Sequence, residues 1–166
     1  MPKQSKKNKP IIIVDTREQT PWDFEGDSAF EKVQYEKLEQ GDYSLVGYEK
    51  IVVIERKANA DELFANFTNG KERFFAEAER LMADVKYRFI VIEQTLQDIL
   101  SPNNYFVNKT KRNKFSPNMP VIVVINNLIE MMVKYRINVI FGGSKAKNIA
   151  KGILLKTKEL YDKELL

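Results

Sequence analysis

Three short groups of charged residues follow or flank apolar stretches in the first part of the chain, and their side chains could do chemistry. They are Asp15-Thr16-Arg17-Glu18, Gly41-Asp42-Tyr43 and Glu55-Arg56-Lys57. The first group follows Ile11–Val14 and the third follows Ile51–Ile54, and both aliphatic runs are typical of buried strands. Because unpaired charges at such positions are costly, we expect these side chains to share a ligand. Clustered carboxylates beside a lysine suit Mg²⁺ holding a phosphodiester.

Strand geometry predicts that three of these side chains meet. Asp42 and Glu55 lie on neighbouring predicted strands, and Lys57 follows Glu55 by two residues. Residues two apart on a strand point to the same face, so Glu55 and Lys57 project together toward Asp42, while Arg56 faces away. Two carboxylates can bind a metal that polarises a phosphate, and a lysine can orient or deprotonate the attacking water or stabilise charge on the phosphate. The alternative is an ion pair of Lys57 with Glu55 or Asp42 that serves only the fold.

The amino-acid composition limits which residue types could supply this chemistry. The 166 residues contain neither cysteine nor histidine, which excludes thiol nucleophiles, cysteine-based zinc sites and Ser-His-Asp hydrolysis. Acid–base and metal chemistry must therefore rest on Asp, Glu and Lys, whose oxygen ligands favour Mg²⁺ or Mn²⁺. The net charge is +4 and the isoelectric point about 9.1, a mild excess that favours a polyanionic partner.

The remaining pattern predicts one α/β domain, 11–166, preceded by a flexible basic arm, 1–10. Predicted strands cover 11–14, 33–37, 43–46, 51–55, 89–92 and 137–141. Tight turns would join the second, third and fourth of these strands into an antiparallel meander. Predicted helices cover 59–70, 74–82, 121–133 and 144 to about 160, the first opened by a capping box of Asn59 and Glu62 and the last capped by Ser144.

A long polar segment, 101–118, carries a second concentration of positive charge and is predicted to be a loop. Its basic residues are Lys109, Lys111, Arg112 and Lys114. These residues and the lysines of the arm are candidates for nucleic-acid contact, and the alternative for both is solvated surface. The apolar runs are far shorter than the roughly 20 residues of a membrane span, and no apolar signal core follows the first lysines. A cytoplasmic protein without a membrane partner is therefore expected.

Taken together, the motifs resemble the nuclease domain of the XPF/Hef family, a branch of the PD-(D/E)XK superfamily. The segments that carry the resemblance are Val14–Glu18, Gly41–Tyr43, Ile54–Lys57 followed by Asp61, Gly70–Leu81 around Arg73-Phe74, and Val91–Glu93. The match spans roughly residues 11–160. It implies a restriction-endonuclease-like α/β core, with a mixed central sheet and an antiparallel meander flanked by helices. Such a core would cut DNA with Mg²⁺, for which Mn²⁺ would substitute.

The resemblance also implies roles for individual residues. The catalytic set would be Asp15, Glu18, Asp42, Glu55 and Lys57. The metal would be held by Asp42 and Glu55, with Asp15 close enough to join or support its shell. DNA contacts would come from Arg17, Arg56, Arg73, Lys109, Lys111, Arg112 and Lys114. The alternative for Arg56 is to hold backbone geometry, and the alternative for Arg73 is an ordinary exposed position on a helix. For Asp61, stabilisation of a helix first turn by the helix dipole is the alternative explanation.

Many relatives of this family add tandem helix-hairpin-helix modules, for which the 166 residues leave no room. We therefore expect a compact stand-alone version of bacterial or viral type. Without such modules the junction or flap preference of the relatives does not carry over directly, so branched, flapped or single-strand/duplex junction DNA is left open as the substrate. The expected partner is DNA, and the resemblance leaves a homodimer open. Two rival interpretations remain: an inactive nuclease-like module that only binds DNA or protein, and another phosphoryl-transfer enzyme with the same core, such as a resolvase or restriction-type nuclease.

Overall fold

The computed structural model describes residues 9–59, 62, 66–67, 71–100 and 121–166. The centre of this part is a mixed sheet of six strands in the order β2-β1-β3-β4-β5-β6. The strands are β1 (Ile12–Asp15), β2 (Val33–Glu36), β3 (Tyr43–Leu45), β4 (Val52–Lys57), β5 (Tyr87–Ile92) and β6 (Ile137–Phe141). The predicted strands are thus present, with ends that shift by up to two residues.

Helices cover both faces of this sheet. One face carries α1 (Lys71–Asp84), α2 (Leu96–Leu100) and α3 (Val121–Tyr135). The other face carries α4 (Ala146–Asp162) together with the loop that precedes β2. No helix among the described residues is both long and apolar enough to span a lipid bilayer.

Side-chain alternation along β4 divides the core into two layers. Val53 packs in the layer of α1 and α3, whereas Ile54 packs in the layer of α4. Successive residues of a strand point to opposite faces, so the same alternation continues to the end of β4. Glu55 and Lys57 therefore point toward the layer of α1 and α3, and Arg56 points toward the layer of α4.

The predicted antiparallel meander is only partly correct. β3 pairs antiparallel with both β1 and β4, but β2 lies at the sheet edge and pairs in parallel with β1, with Ile12 beside Val33. The prediction that 33–37 belongs to the meander is therefore wrong. Residues 16–32 form a crossover that returns the chain to the start of β1, and residues 37–42 then cross the end of β1 instead of making a tight turn.

The predicted helices at 74–82 and 121–133 are confirmed in α1 and α3. The β-branched start of α3 does not prevent a helix, because Leu128 and Met131 on its inner face are buried in the core. The predicted cap at Ser144 is wrong. Ser144 lies in a 3₁₀ turn, and α4 begins after Lys145 without a side-chain capping bond.

Part of the predicted first helix is described. Asn59 Oδ1 accepts a hydrogen bond from the Glu62 backbone N–H at 3.1 Å, as its predicted capping role requires. The Glu62 carboxylate accepts in turn from the backbone N–H of Ala58 at 3.2 Å, one residue before the position that the capping box predicts. Asp61, the basic residues between 109 and 114 and the arm up to residue 8 lie outside the described residues.

Candidate active site

A cleft of about 810 Å³ opens at the edge of the sheet where β1 and β4 end and β3 begins. The predicted site residues that line it are Asp15, Arg17, Glu18, Asp42, Glu55, Arg56, Lys57 and Arg73. The three charged groups recognised in the sequence therefore lie around one cleft, although 22 residues lie between the first group and the second along the chain.

A glycine turn places Asp42 between two strands. Gly41 has a φ of +71°, a left-handed conformation that favours glycine. The backbone N–H of Asp42 donates to the Ile54 carbonyl at 2.9 Å, and its carbonyl accepts from the Asp15 N–H at 2.8 Å. The Asp42 carboxylate accepts a hydrogen bond from the Arg56 backbone N–H at 2.7 Å. Backbone bonds to β1 and β4 thus fix the position of this carboxylate.

Gly41→Ala is expected to destabilise the protein by about 2–4 kcal/mol, because left-handed strain and overpacking act together. A Cβ at Gly41 would lie 2.1 Å from Val53 Cγ1 and 3.1 Å from the Ile54 carbonyl oxygen. Gly26→Ala is the matched control, since Gly26 has the same φ of +71° with nothing within 4 Å of its Cβ position. Urea denaturation of both variants measures the difference, and equal losses of stability would contradict the close packing at Gly41.

The Asp42 carboxyl group is buried, and it forms no ion pair with a described residue. Burial and then the charge of Glu55 raise the pKa of Asp42 to about 8, against a lowering contribution from the Arg56 hydrogen bond. Lys57 Nζ instead pairs with Glu55 Oε1 at 2.6 Å. Among the described residues, no lysine or arginine forms an ion pair with Asp42. Because Lys57 pairs with Glu55, it compensates the negative charge of ionised Asp42 only in part.

Lys57 is held in its charged form. Burial opposes protonation of the ammonium group, but the charge and hydrogen bond of Glu55 outweigh burial and raise the pKa of Lys57. Its Nζ also lies 5.7 Å from the centre of the Phe74 ring on α1. The arrangement suits Lys57 to orienting a water or stabilising charge on a phosphate, and not to accepting a proton.

The Asp15 carboxylate is fully engaged by hydrogen bonds. Oδ1 accepts from the backbone N–H and Nε of Arg17 at 2.7 and 2.9 Å, and Oδ2 accepts from Arg17 Nη2 at 2.9 Å and the Leu38 N–H at 2.7 Å. Burial opposes its ionisation, but these bonds outweigh burial and lower the pKa of Asp15. Four donors leave little room for a metal on this carboxylate, so the geometry favours support of the site over ligation.

Asp42 and Glu55 are the two carboxylates that could hold a metal. Within the described residues, no group of three acidic side chains converges on one metal position. Two carboxylates nevertheless suit Mg²⁺, which keeps several waters and completes its octahedron with substrate phosphate oxygens. Burial and the charge of Glu55 disfavour the ionised form of Asp42, and a divalent cation bound by both carboxylates would stabilise that form.

The Arg56 side chain lies in a network on the opposite face of β4. Its Nε donates to Glu93 Oε1 at 2.8 Å, and its Nη1 donates to Glu18 Oε1 at 3.3 Å and Thr20 Oγ1 at 3.1 Å. Trp22 Nε1 donates to the same Glu93 oxygen. The Arg56 side chain is only 9% exposed. Its bonds fix β4 at the residue whose backbone N–H donates to the Asp42 carboxylate. This burial disfavours the predicted DNA contact of Arg56.

The predicted role of Glu18 is also clarified by this network, in which its carboxylate holds Arg56 and accepts from the Thr20 N–H at 2.9 Å. Sequence reasoning missed the pairing of Arg56 with Glu93, because 37 residues separate them.

Two predicted DNA-contacting arginines remain accessible at the cleft. The Arg17 side chain is 56% exposed, and the Arg73 side chain on α1 is 85% exposed, with a weak ion pair to Glu77 at 3.4 Å.

The mixed sheet, its flanking helices and the charged cleft at the strand ends together define an α/β nuclease-type fold. The model of the ERCC4 domain family matches residues 14–149. The chain therefore belongs to the ERCC4 domain family, as the resemblance to XPF-type nuclease domains implied.

Solved structures show the same fold. XPF from Aeropyrum pernix is 20% identical, with a TM-score of 0.60 over 93% of this chain and 69% of that chain. XPF from Aeropyrum pernix in complex with DNA is 19% identical, with a TM-score of 0.54 over 93% of this chain and 66% of that chain. Comparison with curated proteins gave no match. The predicted fold class, a mixed central sheet flanked by helices, is confirmed.

Proposed function

We propose that this protein is a divalent-metal-dependent DNA endonuclease that hydrolyses phosphodiester bonds in the cleft of about 810 Å³. The observation that carries the proposal is the buried carboxylate of Asp42, with a pKa raised to about 8 and no ion pair among the described residues. It faces the same cleft as the Lys57–Glu55 pair. Membership of the ERCC4 domain family supports a nuclease, and the DNA complex of XPF supports DNA as the substrate class.

Each residue of the cleft would have a distinct task. Asp42 and Glu55 would hold Mg²⁺, or Mn²⁺ in its place, which when bound polarises the scissile phosphate and acidifies a water. Lys57, kept protonated by Glu55, would orient that water and stabilise charge on the phosphate. Arg17, anchored by Asp15 and exposed at the cleft, would bind a neighbouring phosphate.

The reaction would be a one-step attack of water on phosphorus, in which a P–O bond forms as the bond to the leaving 3′ oxygen breaks. The attacking water would release a proton to solvent, and the leaving 3′ oxygen would take one up. The products would be a 5′-phosphate and a 3′-hydroxyl. Asp15, Glu18 and Arg56 take part by holding the loop and β4 in place. The preferred DNA shape, branched, flapped or at a single-strand/duplex junction, belongs to the same proposal, as does a homodimer.

Cleavage assays test the proposal directly. End-labelled single-stranded, duplex, forked and flapped DNA would be incubated with the protein in Mg²⁺, in Mn²⁺ and in EDTA. Internal cuts should occur with either metal and be absent in EDTA. The downstream product should be ligated to another strand, and removing its 5′-phosphate should prevent that ligation. DNA binding without cleavage in both metals would instead support the inactive binding module, in which the Lys57–Glu55 pair serves the fold alone.

A further inference from the structure

A second cleft, of about 700 Å³, lies at the other end of the central strands. It is formed where α1 and α3 end and where β5 and β6 begin. Its charged residues are Lys50, Asp84, Lys86, Arg88, Lys134 and Arg136. In the β4–β5 register, Lys57 lies beside Ile92 and Val53 beside Arg88. This basic cleft is therefore separated from the candidate active site by roughly 13 Å along the strands.

The exposed cations of the basic cleft form no ion pair with a carboxylate of the described residues. These four cations are Lys50, Lys86, Lys134 and Arg136. The lysines of α4 behave differently, since Lys151 pairs with Asp27 and Lys156 with Glu159. The basic cleft thus gathers four exposed cations that have no ion pair with a described carboxylate.

The dipoles of the neighbouring helices offset only part of the positive charge of the basic cleft. α1 and α3 both end at the basic cleft, and each carboxyl terminus is equivalent to roughly half a negative charge. The four exposed cations, reduced by the Asp84 carboxylate and by these two half-charges, leave a surplus of roughly two positive charges. A surplus of this size attracts a multiply charged anion.

Two arginines are held close together at the base and rim of the basic cleft. Arg88 is buried, 7% exposed, and its Nη1 donates to the Val85 carbonyl at 2.8 Å. Burial and then the charge of Arg136 lower the pKa of Arg88. Arg136 has a φ of 52°, a left-handed conformation that a long side chain adopts uncommonly. An anion bound between them would relieve this repulsion.

We infer that the basic cleft binds a phosphate group, either as inorganic phosphate or as a phosphodiester of a nucleic-acid backbone. The inference goes beyond the proposed function, because the basic cleft shares no residue with the candidate active site. Arginine and lysine side chains are the usual ligands of phosphate oxygens, and the exposed Arg136 supplies a planar guanidinium group that can bind two oxygens at once. A backbone phosphate bound here would add to the electrostatic affinity for DNA.

The test uses the double variant Lys50→Gln/Arg136→Asn. Asparagine tolerates the left-handed conformation at position 136, and the Lys50 carbonyl that accepts from the Lys86 N–H is kept. The matched control is Lys32→Gln/Lys156→Gln, which removes the same charge from exposed positions outside both clefts. Inorganic phosphate is titrated calorimetrically at constant ionic strength, and a DNA duplex is titrated in EDTA, so that neither measurement depends on cleavage. Thermal unfolding confirms that both variants are folded.

The double variant is expected to bind inorganic phosphate about tenfold more weakly, whereas the control binds as the wild type does. If the natural source is a DNA backbone, DNA affinity also falls, and the slope of its logarithm against that of salt concentration becomes shallower by up to about 2. If DNA affinity is unchanged while phosphate binding is lost, the site is one for free phosphate. Equal affinities of wild type, double variant and control for both probes would overturn the inference.

Discussion

Replacing Lys57 by alanine is expected to lower the rate of DNA cleavage about 10³-fold, with DNA affinity within about threefold of wild type. Glu55 holds the Lys57 ammonium group in the cleft through an ion pair of 2.6 Å. No other lysine or arginine of the described residues forms an ion pair with Glu55 or Asp42 and could replace it. Removing it leaves the attacking water without an oriented donor and the phosphate without a fixed positive charge. Single-turnover cleavage at saturating protein measures this effect apart from binding.

Lys71→Ala is the matched control for Lys57→Ala, because Lys71 is an exposed lysine at the start of the neighbouring α1. Its loss should leave the cleavage rate within about twofold. Lys57→Arg tests geometry as well as charge, since a guanidinium cannot reproduce a compact ammonium in this buried position. A Lys57→Ala protein that cuts DNA at the wild-type rate would contradict the proposed catalytic role.

Asp42→Asn is expected to have opposite effects on activity and stability. The metal-dependent cleavage should be lost, because one of the two carboxylates that could hold the metal is gone. The metal-free protein should become more stable by roughly 2 kcal/mol between about pH 8 and 9. The amide keeps an oxygen to accept the 2.7 Å hydrogen bond from the Arg56 N–H, while it removes the buried charge that Glu55 repels.

The sign of this effect follows from the raised pKa of Asp42. The unfolded carboxyl has a pKa near 3.8, and the folded one titrates at about 8. The contribution to stability is therefore fully present below about 3.8 and is lost as the pH rises through about 8. Asp15, whose pKa is lowered, changes in the opposite direction but has completed its change by about pH 5.

Urea denaturation in EDTA between about pH 6 and 9 measures the effect of Asp42. Stability of the wild type should decrease over this range, and that of Asp42→Asn should stay nearly constant. Adding Mg²⁺ at the upper end should restore stability to the wild type but not to the variant, because binding to the folded state alone is stabilising. The same pH dependence and Mg²⁺ response in both proteins would contradict the proposed metal role of Asp42.

These two predictions separate the interpretations of the cleft. If the Lys57–Glu55 pair served only the fold, Lys57→Ala would reduce the stability of the protein. Mg²⁺ would then change the stability of the wild type no more than that of Asp42→Asn. If the cleft is catalytic, the destabilising charge of Asp42 is compensated when the metal binds. The Arg56–Glu93–Trp22 network then acts at a distance, by holding the backbone N–H that fixes Asp42.

Local patterns determined the parts of this protein that depend on backbone geometry. The absence of histidine and cysteine left acids and lysines as the only reactive set. Strand alternation placed Glu55 and Lys57 on one face and Arg56 on the other, as the two core layers on either side of β4 confirm. Helical spacing likewise predicted α1 and α3. These inferences hold because the periods of strands and helices are set within a few residues.

Only the tertiary structure decided which distant groups meet. It placed β2 in parallel at the sheet edge, satisfied Asp15 with a donor from Leu38, and brought Glu93 to Arg56. It also gathered the cations of the basic cleft from the end of α3, the segment before β4 and the starts of β5 and β6. Such contacts depend on how the whole chain packs, because pairs separated by 23 or 37 residues leave no periodic signal in the sequence.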